Sequence, residues 1–346
     1  MSAGDNAPDE FGLIAQLFAP LAAGFPGALG LTDDAAFIPA EPGFDTVATM
    51  DAMVAGVHFL PDDPPDLVAR KLIRVNLSDL AAKGAEPRLI MLAAAFPQGV
   101  GQDWLRRFGQ GLAEDVAAFG IALIGGDTVS TPGPLTLTLT ALGRIAAGRG
   151  LLRSGAKAGD QIWLSGSLGD SALGLKVLQG ELTGLSAGHS DFLANRYRLP
   201  SPRVTLGPRL VGLAHAGMDV SDGLVQDLGH ICRASGVGAV IHVSDLPLSE
   251  AARAALARDQ SLLASVLAGG DDYELLFTVP DQAAAALRDL SDELGLALAP
   301  FGRIVAANGK APVTVIGADG REMAVGKGGW RHFSGHREQG DGGWSD

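Results

Sequence analysis

With one cysteine, two tyrosines and 5% aromatic residues among 346, this chain is poor in several kinds of chemistry. A lone Cys232 cannot close an intramolecular disulfide or build a thiolate zinc or iron–sulfur site, which points to an intracellular, cytoplasmic protein. No apolar run approaches the roughly 20 residues of a membrane helix, and the longest, Leu89 to Phe96 and Leu135 to Leu142, fall well short. The first ten residues, Met1 to Glu10, are polar and acidic, the opposite of a signal peptide, so no export is expected. Clustered lysines and arginines are also missing. With a formal charge of -13, the chain lacks what neutralises a phosphate backbone, and no nucleic-acid or membrane partner is expected.

The familiar phosphate motifs are absent too. There is no Gly-x-x-x-x-Gly-Lys-Ser/Thr loop and no protein-kinase signature set. Gly184-Leu185-Ser186-Ala187-Gly188, with His189 beside it, has the spacing of a hydrolase nucleophile elbow but lies in a polar loop without a preceding strand, so it is read as a decoy. Gly166-Ser167-Leu168-Gly169-Asp170 follows a strand and opens a helix, where an anion could sit, but taken alone it reads better as a plain tight turn. Cys232, between Ile231 and Arg233 in an apolar helix pattern, reads as core.

What the chain does have is a mixed succession of helical and strand patterns. Helices are expected near 10–19, 65–83 and 102–119, and strands near 46–50, 88–96, 121–124 and 135–145. A Gly- and Arg-rich stretch from Gly148 to Asp160 breaks the pattern and sets the domain boundary, giving domains of 10–150 and 151–334. Beyond it come a strand at 161–164, a helix at 170–178, a polar loop through Ser190, helices at 204–216 and 224–235, and a strand at 239–243. Residues 1–9 and 335–346 are expected to be disordered.

Aspartate recurs beside small residues at the end of apolar runs: Asp33 and Asp34, Asp51, Asp127, Asp219 and Asp222, Asp271 and Asp272. Any one of them serves as well as a turn or helix cap. Together, with few basic residues nearby, they call for hard cations, because a carboxylate in apolar surroundings is costly unless paired or metal-bound. Magnesium suits one or two carboxylates plus substrate phosphates, and phosphoryl transfer follows. Asp79 shares a helical face with Asn76 and Lys83, which fits either a surface pair with Lys83 or a metal role.

Four stretches carry a resemblance: Asn76 through Pro87 (NLSDLAAKGAEP), Gly125-Gly126-Asp127-Thr128, Asp219-Val220-Ser221-Asp222-Gly223-Leu224, and Gly270-Asp271-Asp272-Tyr273-Glu274-Leu275. With them, residues 10 to about 335 resemble the thiamine-monophosphate kinase family of the aminoimidazole ribonucleotide synthetase-like superfamily. The resemblance implies a mixed α+β fold of two domains, with the N-terminal sheet forming a homodimer interface and ATP at the domain junction. It implies that Asp34, Thr49, Met50, Asp51, Asp79, Asp127, Asp219 and Asp222 hold several Mg²⁺ ions, and that Gly126, Asp127, Arg153 and Ser221 contact ATP. By the same resemblance His58, Asp271 and Trp330 would surround thiamine monophosphate, and Asp51, Asp127 and Arg153 would carry catalysis.

Three departures stand out. Thr32 replaces a glycine in Gly30-Leu31-Thr32-Asp33-Asp34, Met50 can offer a metal only its backbone, and Asp271 is one methylene shorter than the usual Glu. Relatives of the superfamily that act through a terminal cysteine are disfavoured by a chain ending Gly343-Trp344-Ser345-Asp346, and ring-closing purine enzymes by the Trp330 motif. A non-catalytic binder of cations or nucleotide is the alternative from another class. A phosphate-monoester acceptor is mostly dianionic at neutral pH, its second pKa being ~6, so the expected reaction needs no general base and no covalent enzyme intermediate.

Overall fold

The computed structural model of the chain describes residues 10–323 except 308 and 310. Trp330 and the two terminal segments expected to be disordered lie outside the described residues.

The chain starts with helical turns, α1 (Glu10–Leu13) running into a π-helical stretch to Phe18 and a 3-10 turn from Ala19 to Ala22. Pro20 in that last turn has no N–H to continue an α-helix. Strand β1 (Phe44–Val54) then leads to α2 (Pro65–Ala82), which opens on Pro65, with Asp66 in its first turn to face the helix dipole. Strand β2 (Glu86–Pro97), helix α3 (Gln102–Phe119) and strand β3 (Ala122–Thr131) form a parallel crossover, and β4 (Thr136–Ala146) returns between β1 and β2. Gly120, in the left-handed conformation, ends α3.

The first sheet has the order β1-β4-β2-β3. Along β4, Leu137, Leu139, Ala141 and Ile145 alternate inward against α2, while Thr138 and Thr140 face out. Helix α2 is buried nearly all round, with Leu72, Ile73, Leu77 and Leu80 in the core, because the first sheet covers one side and the C-terminal half of the chain the other.

That second half contains β5 (Gln161–Ser165), α4 (Asp170–Leu178), α5 (Ala187–Arg198), the one-turn α6 (Gly207–Leu210), β6 (Ala216–Asp219), α7 (Leu224–Ser235) and β7 (Val237–His242). It continues through α8 (Glu250–Arg258), α9 (Leu263–Ala268), β8 (Leu275–Val279), α10 (Ala284–Leu294), β9 (Leu298–Ala306), β10 (Val313–Ile316) and β11 (Glu322–Met323). Its seven strands are ordered β11-β10-β7-β9-β5-β8-β6.

Three expectations are corrected, and the Thr32 departure is accommodated. β1 and β3 run on past Asp51 and Asp127, so both carboxylates stand inside strands, held by ladder pairing with β4 and β2. The polar loop is irregular only to Ser186, where helix α5 begins, and Ser186 of the decoy motif is its N-cap, accepting the His189 N–H. The 204–216 region makes only the single turn α6, since the backbone turns extended at Val211 and Ala216 is drawn into β6 by pairing with β8. Thr32 has an ordinary φ of -108°, its hydroxyl donating to the Leu29 carbonyl. The left-handed residues there are Leu29, Gly30 and Leu31.

Candidate active site

Strand β1, helix α2 and the loops after β6 and α9 meet at a cavity of about 840 Å³ between the two halves of the chain. From β1, the Thr49 hydroxyl donates to Asp79 Oδ2 at 2.5 Å, and the Asp51 N–H donates to Asn76 Oδ1 at 3.1 Å. Spacing of three residues brings Asn76 and Asp79 onto one face of α2, so both reach the same strand. Lys83 turns instead toward the Gly217 carbonyl of β6 at 3.4 Å. The Ser78 hydroxyl crosses to Asp219 Oδ2 at 2.7 Å, joining α2 to the end of β6.

The carboxylates repel one another. Burial first, then the charges of Asp79 and Asp219, push the Asp51 carboxyl up to about 7. Burial and the Asp79 charge raise Asp219 to about 6, against the pull of the Ser78 hydroxyl. Burial and the neighbouring Arg153 charge lower Lys83, which places Arg153 beside this group. Among the described residues no three His, Cys, Asp or Glu converge tightly enough to hold a metal by themselves. Hard oxygen donors in a mutually repelling, half-buried set nevertheless fit Mg²⁺, which fills its remaining positions with water and substrate phosphate.

The turn after β6 is shaped by a residue the motifs did not single out. Asp227, in the first turn of α7, accepts the N–H groups of Ser221, Asp222 and Gly223 on one oxygen at 3.0 to 3.1 Å. Its position four residues after Gly223 is the only sequence signal of that role. Asp222 accepts from Gln226 at 2.9 Å and lines the cavity beside Ser221 and Arg153.

His58 and Asp271 line the same cavity. His58 Nδ1 accepts the Val54 N–H at 3.0 Å, which in the neutral ring leaves the proton on Nε2. Asp271 and Tyr273 both adopt left-handed φ, 69° and 52°, a strain of roughly 1–3 kcal/mol each. Backbone bonds from Asp271 to Ser221 and from Tyr273 to Val220 hold the loop in place. Behind it, Glu274 is fully buried and receives Arg196 at 2.9 Å, Ser165 at 2.6 Å and two bonds from Arg203.

Asp34, Gly126 and Asp127 do not join this cavity within the chain. They line a separate one of about 330 Å³ against Met91 and the 33–36 loop. One register row runs Asp51, Leu139, Leu92, Gly126 across all four strands, a separation of ~14 Å at the usual strand spacing. Asp127 belongs to the next row, Ala52, Thr138, Ala93, Asp127, and so projects from the face opposite Asp51. Met50 is on that exposed face too, 65% accessible, leaving only its backbone toward the aspartates. Glycine at 126 is required by close approach, since a Cβ there would meet the Leu92 carbonyl oxygen at 1.9 Å.

The sequence profile of the AIR synthase related protein N-terminal domain matches residues 32–145, and that of the C-terminal domain matches 157–314. Thiamine-monophosphate kinase of Caulobacter vibrioides is 44% identical over 328 residues, 94% of this chain and 91% of the relative. The crystal structure of thiamine-monophosphate kinase from Stenotrophomonas maltophilia is 42% identical and superposes with a TM-score of 0.77 over 85% of this chain and 91% of its own. AaThiL complexed with AMPPCP and TMP superposes with a TM-score of 0.74 at 28% identity, covering 94% of this chain and 97% of its own. With both domain profiles matched in order and relatives of this identity aligned over most of its length, the chain belongs to the thiamine-monophosphate kinase family of AIR synthase related proteins.

Proposed function

We infer that this chain transfers the terminal phosphoryl group of ATP to thiamine monophosphate, yielding thiamine diphosphate. The observation that carries the reading is the one cavity lined by Asp51, Asp79, Asp222, Ser221 and Arg153 together with His58 and Asp271, in a member of a family whose relative was captured with AMPPCP and TMP. The aspartate end is the phosphate end, where Asp51, Asp79, Asp219 and Asp222 would hold Mg²⁺. The bound ions supply charge neutralisation for two polyanions. Arg153 adds a fixed cation, Ser221 a hydroxyl, and the rigid Thr49–Asp79 and Ser78–Asp219 bonds keep the carboxylates oriented. The acceptor oxygen is already ionised near pH 7, so the side chains position it in line and remove no proton. Trp330, outside the described residues, remains part of the proposed acceptor site by family resemblance.

The proposal extends to a cytoplasmic homodimer with domains of 10–150 and 151–334, divided in the stretch from Gly148 to Asp160. No helix among the described residues is long and apolar enough to cross a membrane. The outward face of the first sheet exposes Met50 at 65%, Met91 at 40% and Val129 at 50%, an apolar surface suited to a second copy. Pairing through that face would let the Asp34–Asp127 end of one protomer complete the Asp51–Asp79 end of the other.

Two measurements test these points. In a coupled assay with MgATP, ADP and thiamine diphosphate are expected to rise together with thiamine monophosphate and not with free thiamine; bound ATP without product would leave the chain a binder. Asp51→Asn and Asp127→Asn are each expected to be inactive, yet subunit exchange between them should restore about a quarter of wild-type activity, because half the dimers are mixed and each mixed dimer has one intact site. No recovery on mixing would mean that each protomer builds its site alone.

A further inference from the structure

Lys71 has no part in the reading above, yet the residue is 2% exposed and lines the same cavity. Burying an ammonium is costly unless its donors are used. Here Nζ donates to the His58 carbonyl at 3.0 Å and to Asp271 Oδ2 at 2.8 Å, and it sits 3.9 Å from the centroid of the Tyr197 ring. One side chain on α2 therefore touches both acceptor-end residues, His58 from the first half of the chain and Asp271 from the second. The opposite oxygen of Asp271 accepts from the Tyr273 hydroxyl at 3.2 Å, so the carboxylate is pinned from two sides on a loop whose backbone is strained at both Asp271 and Tyr273.

The helix sets the distances. Lys71, Val75 and Asp79 follow at i, i+4 and i+8 on one stripe of α2, which separates the Lys71 and Asp79 backbone positions by ~12 Å along the axis. The Lys71 ammonium is directed at the His58 carbonyl and the Asp271 carboxylate rather than at Asp79.

We propose that Lys71 is the positioning residue of the acceptor subsite, joining the His58 turn to the Asp271 loop so that both present fixed groups to the ring portion of a cationic, aromatic phosphate monoester. The proposal rests on the phosphotransfer reading and deepens it. Lys71 acts through Asp271, so its loss should weaken acceptor binding and spare the nucleotide.

Steady-state kinetics of K71M, K71R, D271N and the K71M/D271N pair test it. K71M keeps the apolar stem and removes the charge, and is expected to raise KM for thiamine monophosphate about tenfold with KM for ATP within about twofold of wild type. K71R, whose planar fork cannot serve both oxygens in the same geometry, should fall between. D271N should raise the same KM, and the double variant should be no worse than either single, because the two residues act as one unit. Should K71M fail to fold, K71R and the double variant, which leaves no unpaired charge, carry the same comparison. An unchanged acceptor KM in K71M or K71R, multiplication of the two effects in the double variant, or an equal loss in both substrates' KM would overturn the role of Lys71. A wild-type protein that does not phosphorylate thiamine monophosphate would instead overturn the functional reading itself.

Discussion

Asp51→Asn is expected to lower kcat on the order of a thousandfold, about 4 kcal/mol of transition-state stabilisation, while the fold survives. The carboxylate stands in β1 with its N–H on Asn76 and its charge close to Asp79 and Asp219. That crowding makes the ionised side chain a burden to the metal-free protein. Its pKa is raised from 3.8 to about 7, so the folded state holds a proton that the unfolded state has released, and stability falls as pH rises through that window. Asparagine removes this slope, so the metal-free variant should melt at or above wild type at pH 8. Mg²⁺ with ATP should raise the wild-type melting temperature and leave that of the variant much less changed, as binding to the folded state alone requires. Thermal melts with and without MgATP beside single-turnover assays check both halves. Full activity in Asp51→Asn would sink the assignment, and loss of activity with a collapsed melt would reduce Asp51 to a structural role.

The second large effect falls on stability. Glu274→Gln is expected to cost about 3–5 kcal/mol, since it leaves Arg196 and Arg203 buried against a neutral amide. For a domain of this size that lowers the melting temperature on the order of 10 °C. Gly166 lies against the same carboxylate, where a Cβ would meet Glu274 Oε1 at 2.2 Å, so this corner has no room to repack. Arg196 also donates to the Asp272 carbonyl at 3.0 Å, linking the network to the Asp271 loop. Calorimetry on the purified variant is the measurement; a shift of only a degree or two would show that the guanidinium groups find water instead.

How much of this was legible beforehand varied with the kind of signal. Asp79 was readable because Asn76 and Asp79 are close in sequence and share a helical face, a local periodicity. The Asp219–Asp222 turn was readable as a motif, but Asp227, which shapes it through three backbone N–H groups, was hidden because an aspartate in the first turn of a helix looks like any other cap. Lys71 and Tyr197 were invisible for a different reason. Their significance is a contact between residues 71, 197 and 271, and a lysine between Arg70 and Leu72 reads as an exposed helix position until a second domain covers it.

The same division holds for the fold. Local pattern determined that this is a mixed helical and stranded chain interrupted between Ala146 and Gln161, because alternation in β4 and helical spacing in α2 and α3 are properties of neighbouring residues. Composition and motifs determined the chemistry of hard cations and phosphate. Tertiary structure alone decided that Asp51 and Asp127 occupy opposite faces and opposite edges of one sheet, since strand order and register arise from pairing among residues up to a hundred positions apart. Sequence order lists the aspartates as one set; the pleat of the sheet, which turns successive side chains to opposite sides, sorts them into two.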